Sequence, residues 1–395
     1  MKTRITACLP DLLFHSLLSS QFPETPANIA EQQLEYITEN TGTETEDDAY
    51  LQDLQQLKKN PVNLNTVTGE GLSQLGLLTP MQVENFLLYR KALGNLLDIY
   101  EMQAVPGWDI HTVMKLRPYI TVHSKAGFIN GIWGRLQHGD HSFLVRASQV
   151  FEKSVGYEKD TSGTANRYNG SPQRVLVRYR YTFKNLLYFG FTGEKDPGEQ
   201  FFKGRQSAGF DFYSAHLFIR NLGMIKSLAI GDYTVNLGQG LIQWQSLAFK
   251  KGALITGIKR QSPVLKPYNS AGEVNFHRGA GITIGSGKWE ATVFGSYRNT
   301  DANLVPPDSL ETASYISSLQ TSGYHRTDME LADKAIQKQL VFGGNVSYRL
   351  KKLQVGINAI QYRFSLPVIK EAHPYNRYAL SGKRLSNYSV DYSFT

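Results

Sequence analysis

The stretch Arg174-Val175-Leu176-Val177-Arg178-Tyr179-Arg180-Tyr181-Thr182-Phe183 (RVLVRYRYTF) has the clearest periodicity in this sequence. Valine, tyrosine and phenylalanine fill its odd positions, whereas arginine and threonine fill most of its even positions. Because successive side chains of a β-strand point to opposite faces, this alternation predicts a strand with one apolar and one basic face. Its ten residues match the length of a tilted strand that crosses a bilayer.

The same alternation recurs towards the C-terminus and predicts an antiparallel transmembrane β-barrel of about ten strands. We place the strands near residues 142–151, 174–183, 186–194, 211–219, 226–233, 275–284, 289–298, 339–349, 353–364 and 386–394. Their connections alternate between short turns and long loops, the loops being residues 152–173, 195–210, 234–274, 299–338 and 365–385. This alternation is typical of transmembrane barrels, whose turns face the periplasm and whose loops lie outside.

A soluble β-sandwich or soluble barrel would show a similar alternation of apolar and polar residues. Two features favour the transmembrane barrel. Tyrosines lie at the strand ends, with charges on the opposite face, as expected for aromatic girdles around a wet lumen. Connections of about forty residues are also difficult to place in a compact core.

The composition agrees with a membrane protein that crosses with strands. The 395 residues include 22 Tyr, 20 Phe and 35 Gly, yet the mean hydropathy is −0.33 and no run of 18 apolar residues could span a bilayer as a helix. Residues 121–395 hold 34 Lys and Arg against 19 Asp and Glu, whereas residues 51–120 hold six of each. The basic character therefore belongs to the barrel segment.

The N-terminal segments predict export to the outer membrane of a Gram-negative cell. Residues 1–20 carry Lys2 and Arg4 before a mostly apolar stretch, which indicates an export signal. A lipoprotein box ending at Cys8 is the alternative. Cys8 is the only cysteine, so no disulfide framework is possible. Residues 21–48 form a polar lead-in.

Residues 49–122 predict a compact module of four or five short helices, joined by a linker over 123–141 to the barrel at 142–395. Prolines and glycines interrupt the helical spacing, and Thr79-Pro80 has the cap-and-proline arrangement of a helix N-terminus. The predicted fold class is therefore α plus β, with a small all-α module before an antiparallel barrel.

One set of residues within this module has a distinctive spacing, namely Leu64-Asn65-Thr66, Leu72, Leu75, Gly76, Val83, Tyr89-Arg90, Gly94, Leu97, Tyr100, Val105-Pro106-Gly107 and Leu116-Arg117-Pro118-Tyr119-Ile120. On these residues the module resembles the paired helix-hairpin-helix domain of competence proteins of the ComEA type. The resemblance implies a periplasmic domain that binds the DNA backbone through the bare amides of Gly-x-Gly hairpins. The implied hairpin sites are Gly76, Leu77, Thr79, Gly107 and Trp108.

The sequence departs from the Gly-x-Gly pattern at both hairpins. The first has Gly76-Leu77-Leu78-Thr79 and the second has Gly107-Trp108-Asp109, so side chains crowd both amide nests. Asp109 also places a negative charge where a phosphate would approach, and a module without net charge gains little from counterion release. We expect the scaffold to be kept and DNA binding to be weakened.

Several stretches of the barrel segment carry a looser resemblance, namely Gly231-Asp232-Tyr233, Leu237-Gly238-Gln239-Gly240, Lys266-Pro267-Tyr268-Asn269-Ser270 through Arg278-Gly279-Ala280, and Gly323-Tyr324-His325-Arg326-Thr327 with Ala332-Asp333-Lys334. They resemble the barrels of outer-membrane proteins that carry a periplasmic helix-hairpin-helix domain. Those barrels are longer, so the resemblance implies a truncated or reduced member. It implies no activity.

The candidate functional residues of the barrel are the lumen charges Arg178, Arg180, Arg349, Arg363 and Glu290. They predict either an interior that favours anions or an internal salt-bridge network that also includes Glu194, Asp211 and Asp232. The amphipathic stretch 329–340 could form a helical lid or plug. Exposed basic residues of loop 234–274 would meet lipopolysaccharide phosphates, and these residues are Lys250, Lys251, Lys259 and Arg260.

The sequence contains no Gly-x-Ser-x-Gly elbow, His-Glu-x-x-His pair or phosphate loop. We therefore expect no catalytic residues, no cofactor and no metal, and interpret His138, Asp140 and His141 as a solvated turn. The expected function is a non-enzymatic outer-membrane protein whose periplasmic module binds a partner while the barrel anchors it or passes a small solute. The alternatives are a DNA-binding or DNA-uptake component and an outer-membrane hydrolase built on loop residues, with His216, His277 and His325 as available bases.

Overall fold

The computed structural model describes residues 57–73, 75, 77–122, 132–158, 167–246, 260, 262–307, 313–350, 353–371 and 373–394. All of them belong to one compact unit, residues 47–395. The predicted export signal and lead-in lie outside the described residues, as do Gly76 and the predicted lipopolysaccharide contacts Lys250, Lys251 and Lys259. Within the described part of the chain, no helix is both long and apolar enough to cross a membrane.

The first described part of the chain is a small helical module. It contains α1 (Gly69–Ser73), α2 (Pro80–Leu93), a 3₁₀ helix (Ile99–Ala104) and α3 (Ile110–Leu116). Two short parallel strands, β1 (Val62–Asn63) and β2 (Ile120–Thr121), pair at its ends. The N-terminal and C-terminal ends of the module therefore lie side by side.

The module has a core of its own. The fully buried side chains include Leu72, Phe86, Met102 and Leu116. Asn65 links the two ends of the module. Its side chain donates to the carbonyl oxygens of Leu96 and Val122, at 2.9 and 3.0 Å, and accepts a hydrogen bond from the Leu96 amide. Burying an amide side chain with its hydrogen bonds satisfied fixes the chain path at little net cost.

The rest of the described chain is dominated by one large antiparallel sheet, which confirms the predicted β architecture. Ten long strands form an up-and-down meander in which each long strand pairs with the next one: β3 (Asp140–Ser148), β4 (Arg174–Phe183), β5 (Leu187–Lys195), β6 (Phe212–Leu222), β7 (Ile225–Val235), β9 (His277–Ser286), β10 (Trp289–Thr300), β13 (Gln337–Arg349), β14 (Leu353–Val368) and β15 (Gly382–Phe394). Each overlaps one of the ten predicted strands. Three short strands, β8 (Leu265–Pro267), β11 (Ala302–Val305) and β12 (Tyr315–Leu319), lie in the long connections.

The register of the ladder divides the sheet into two faces. Thr182, Tyr188, Phe218, Ala229, Gly281 and Phe294 are successive partners from β4 to β10 and therefore share one face. This inner face carries a buried cluster formed by Phe218, Ala229, Phe294, Val341 and Ile360 together with loop residues. The opposite, outer face carries most of the exposed large apolar side chains.

The two ends of the sheet are edges in this structure. Among the described residues, β3 is hydrogen-bonded only to β4, and β15 only to β14. The closed barrel therefore stays a prediction.

The connections follow the predicted alternation. Two to three residues join β4 to β5, β6 to β7, β9 to β10 and β13 to β14, and the long loops all lie at the opposite end of the sheet. We call these the turn end and the loop end. A short helix, α4 (Ile132–Gln137), precedes β3 at the turn end.

Candidate functional site

A segment of the long β7–β9 connection, residues 236–246, turns onto the inner face of the sheet, and we call it the inward loop. Asn236 shapes it, because its side-chain oxygen accepts from the amides of Gln245 and Ser246 at 3.0 and 2.9 Å. Gly238 and Gly240 adopt positive φ angles of 53° and 81°, which non-glycine residues adopt only with strain. The loop therefore doubles back within a few residues.

The inward loop contacts the inner face of strands from β10 to β15. Leu237 is buried in the cluster with Phe294 and Val341. Gln243 accepts a hydrogen bond of 2.8 Å from the Tyr362 hydroxyl on β14. A side chain at Gly238 would collide with the Asp391 carboxylate on β15. The loop thus packs against the inner face of the sheet.

The predicted lumen charges fall in different places. Arg178 and Arg180 lie on the inner face of β4 and are buried, and Glu290 lies on the inner face of β10. Arg349 lies on the same face at the turn end, where it is exposed and donates to Gln354. Arg363 is a correction to the sequence analysis. It lies on the outer face, because its neighbours Tyr362 and Phe364 take the inward positions of β14.

The predicted acidic partners belong to separate ion pairs. Glu194 pairs with Arg174 at 2.7 Å near the loop end. Asp232 pairs with Arg278 at 2.7 Å beside Tyr213 on the outer side. Asp211 belongs instead to a cluster around His325. Glu194, Asp232 and Asp211 thus pair with three different cations, Arg174, Arg278 and Lys334.

The His325 cluster is the most concentrated group of ionisable side chains at the loop end. The two ring nitrogens of His325 contact two carboxylates: Nδ1 contacts Asp211 at 2.5 Å, and Nε2 contacts Asp301 at 3.0 Å. Lys334 donates to Asp211 at 2.7 Å. The Glu199 carboxylate accepts the backbone amide of His325 at 2.9 Å.

The members of the cluster come from three separate stretches of chain. Glu199 lies in the β5–β6 loop and Asp211 just before β6, whereas Asp301 follows β10. His325 and Lys334 flank α5 (Asp328–Asp333), a six-residue helix with a capping box between Thr327 and Glu330. The cluster therefore ties loops together, and we call the joined loops the loop cap. The sequence analysis suggested that residues 329–340 could form a helical lid or plug, but only residues 329–333 of this stretch are helical, and residues 337–340 belong to β13.

The charges of the loop cap depend on one another. Burial alone would lower the pKa of His325, but its hydrogen bonds to Asp211 and Asp301 outweigh burial and raise the pKa to about 10. Burial, reinforced by the negative charge of Asp211, raises the pKa of Glu199 to about 7. Burial likewise raises the pKa of Glu273. At neutral pH the imidazolium therefore neutralises part of a buried acidic group.

Among the residues that the structure describes, two sets of side chains have the composition of a metal site, Glu199 with Asp211 and His325, and Glu273 with Asp301 and His325. Both share His325, whose two ring nitrogens already contact carboxylates. A metal ion would have to displace one of these contacts, whereas the protonated ring and Lys334 already supply positive charge. The arrangement acts chemically as an ionic fastening between loops.

The hairpins of the helical module are occupied by side chains. Thr79 caps α2, accepting from the Gln82 amide at 3.2 Å, and Asp109 caps α3, accepting from the Thr112 amide at 2.7 Å. Trp108 is buried and its indole donates to the Gln82 carbonyl at 2.8 Å. Gly107 has a φ of 83°. The amides that would meet phosphate are thus already partly satisfied.

Sequence reasoning missed the inward loop and the His325 cluster. The dense glycines of Leu237-Gly238-Gln239-Gly240 signalled a tight bend, but not its direction. Asp211, Asp301 and His325 are far apart in sequence, so only the folded loops bring them together. His138, Asp140 and His141, interpreted as a solvated turn, are exposed, but Asp140 and His141 are the first residues of β3.

The fold defines a predominantly β protein with a large antiparallel sheet and few helices. No protein-family model and no curated protein matches the chain. A search of solved structures gives OmpTdeltaL8, a loop L8 deletion mutant of OmpT, an outer membrane protein of Vibrio cholerae. The similarity covers 60% of this chain and 72% of that chain, with 12% identity and a TM-score of 0.19.

Proposed function

We propose that this chain is a non-enzymatic outer-membrane protein, in which the ten-stranded sheet crosses the membrane and a helix-hairpin-helix module in the periplasm docks a partner. The observation that carries the proposal is the apolar outer face. Large side chains on it are widely exposed, for example Phe143 by 70%, Val293 by 65% and Ile357 by 60%.

These exposed side chains form a surface that extends over both halves of the sheet. Besides the three above they include Phe191, Ile230, Trp289, Tyr297, Phe342, Val346, Tyr388, Val390 and Tyr392. A soluble sheet buries its apolar face against another layer, and soluble monomers rarely expose a contiguous apolar patch this extensive. Hydrocarbon is the solvent that such a face suits.

Membrane insertion also requires the two edges of the sheet to be satisfied. An unpaired strand edge in hydrocarbon leaves amide and carbonyl groups without partners, which costs several kcal/mol per group. In the membrane, β3 and β15 therefore pair with each other or with further strands.

The inner face supports a closed rather than an open interior. The inward loop packs on the inner face, and the loop cap holds the loops at the loop end together. The protein in this conformation therefore serves as an anchor, and a small solute could pass only after the inward loop moves.

The helical module supports docking of a protein rather than DNA. Thr79 and Asp109 occupy amides at the two helix N-termini, and Asp109 adds negative charge. Exposed apolar side chains of the module, among them Leu93, Leu97 and Met114, offer a surface of the kind that periplasmic protein partners bind.

Protease protection tests this proposal. We expect protease added to intact cells to cleave only in the long loops, and protease in the periplasm to reach only the module and the turn end. The purified protein should also migrate faster on gels before heating than after, because a folded membrane β protein stays compact in detergent until it is heated. A water-soluble product that is cleaved throughout would contradict the proposal.

A further inference from the structure

The short helix α4 has an inverted polarity. Its charged residue, Arg135, is only 4% exposed, whereas Trp133 is 79% exposed and Ile132 and Leu136 are also exposed. A helix on a water-facing surface would present the arginine and bury the tryptophan. The exposed side of α4 therefore suits apolar surroundings.

Hydrogen bonds fix α4 at the turn end of the sheet. The Arg135 guanidinium donates to the carbonyl oxygens of Arg220 and Asn221, at 2.8 and 3.0 Å, where β6 turns into β7. The Tyr181 hydroxyl, on the outer face of β4, donates to the Arg135 carbonyl at 2.6 Å and accepts from the Gly139 amide at 2.8 Å. The helix is thus held against the outer face rather than beneath the sheet.

The turn end of the sheet, where α4 lies, combines aromatic and basic side chains. Trp289 and Tyr348 lie on the outer face at the turn end, with ring centroids 4.5 Å apart. Exposed lysines occupy the adjoining turns and strand ends, and these are Lys184, Lys226 and Lys288. Tryptophan and tyrosine favour the membrane–water interface, and lysine favours lipid headgroups beside it.

We propose that α4 is an interfacial anchor, which inserts Trp133 into the boundary between headgroups and acyl chains of the leaflet at the turn end. This inference rests on the proposed membrane location of the sheet. It adds that the segment before the first strand is fastened to the lipid surface, while the two terminal nitrogens of the Arg135 guanidinium are bonded to backbone carbonyl oxygens. The helical module would then stand at a fixed distance from the membrane.

Tryptophan quenching in phosphatidylcholine vesicles tests the inference on the full chain. The signal of each tryptophan is obtained by subtracting the spectrum of W133F or W289F from that of the wild type. We expect Trp133 to lose about half of its emission when bromine lies near the headgroup end of the acyl chains, and less when bromine lies at the bilayer centre. Iodide in the water should quench it weakly.

Trp289 separates the two ways in which the inference could fail. It lies on the outer face of β10 itself, so bromine should quench it if the sheet crosses the bilayer. Quenching of Trp289 together with strong iodide quenching and no bromine quenching of Trp133 would overturn the anchor alone. Absence of bromine quenching at both positions would overturn the membrane location as well.

Discussion

Raising the pH from 5 to 9 is expected to loosen the loop cap. The folded pKa of Glu199 is raised from 4.5 to about 7, so its contribution to stability is present below 4.5 and is lost as the pH rises through 7. The folded pKa of His325 is raised from 6.5 to about 10, so its contribution is present below 6.5 and is lost as the pH rises through 10. Titration of either group therefore lowers the stability of the loop cap as the pH rises.

Hydrogen exchange of the loop amides measures this loosening. After correction for intrinsic exchange, protection of the His325 and Asn169 amides, which bond to Glu199 and to the Arg326 carbonyl, should fall roughly tenfold or more between pH 5 and 9. The strands should keep their protection.

Two variants separate the contributions of Glu199 and His325 to this loss of protection. E199Q resembles the neutral carboxyl group and should abolish the fall between pH 5 and 7, whereas H325Q should lower protection at every pH. H373Q is the matched control, because His373 contacts Glu371 in an exposed pair outside the cluster. Protection that is constant with pH, or that rises with pH, would show that the cluster does not hold the cap.

Shortening the inward loop is expected to open the interior. Replacing residues 238–243 with two glycines removes Gln243 and its contact with Tyr362, and removes the segment packed against Asp391. With the sheet closed in the membrane as proposed, this change removes side chains that fill its interior, so the single-channel conductance in planar bilayers should rise roughly tenfold from a near-closed level.

A second loop at the loop end of the sheet provides the control for this variant. Replacing residues 374–379, an exposed segment between β14 and β15, with two glycines removes as many residues and leaves the inner face untouched. This control should conduct like the wild type. Equal conductance of all three proteins would show that the inward loop does not close the interior.

The large sheet could be predicted from sequence because its information is local. Alternation within ten residues gives a strand and its two faces, as in 174–183, and short turns such as the one after Phe183 give the pairing of neighbours. The inner-face positions of Arg178 and Arg180 could be predicted from the same pattern. The position of Arg363 could not, because the face of the long strand β14 was predicted without a neighbouring strand to fix its register.

The loop end could not be predicted in this way. Its contacts join Asp211, Asp301 and His325 over more than a hundred residues, and no periodicity relates positions so far apart. The polarity of α4 was missed for a related reason. Six residues are too few for a periodic signal, and only the hydrogen bonds of Arg135 show which side faces the sheet.

The most direct test of the account is spin-label accessibility along β10 in lipid vesicles, with labels at successive positions from 290 to 298 in a C8S background. The account predicts a period of two, in which the outer positions 291, 293, 295 and 297 are accessible to oxygen dissolved in the lipid and the inner positions 292, 294 and 296 are not. Outer positions that are instead accessible to a water-soluble nickel complex, with no alternation, would contradict the claim that this sheet crosses a membrane.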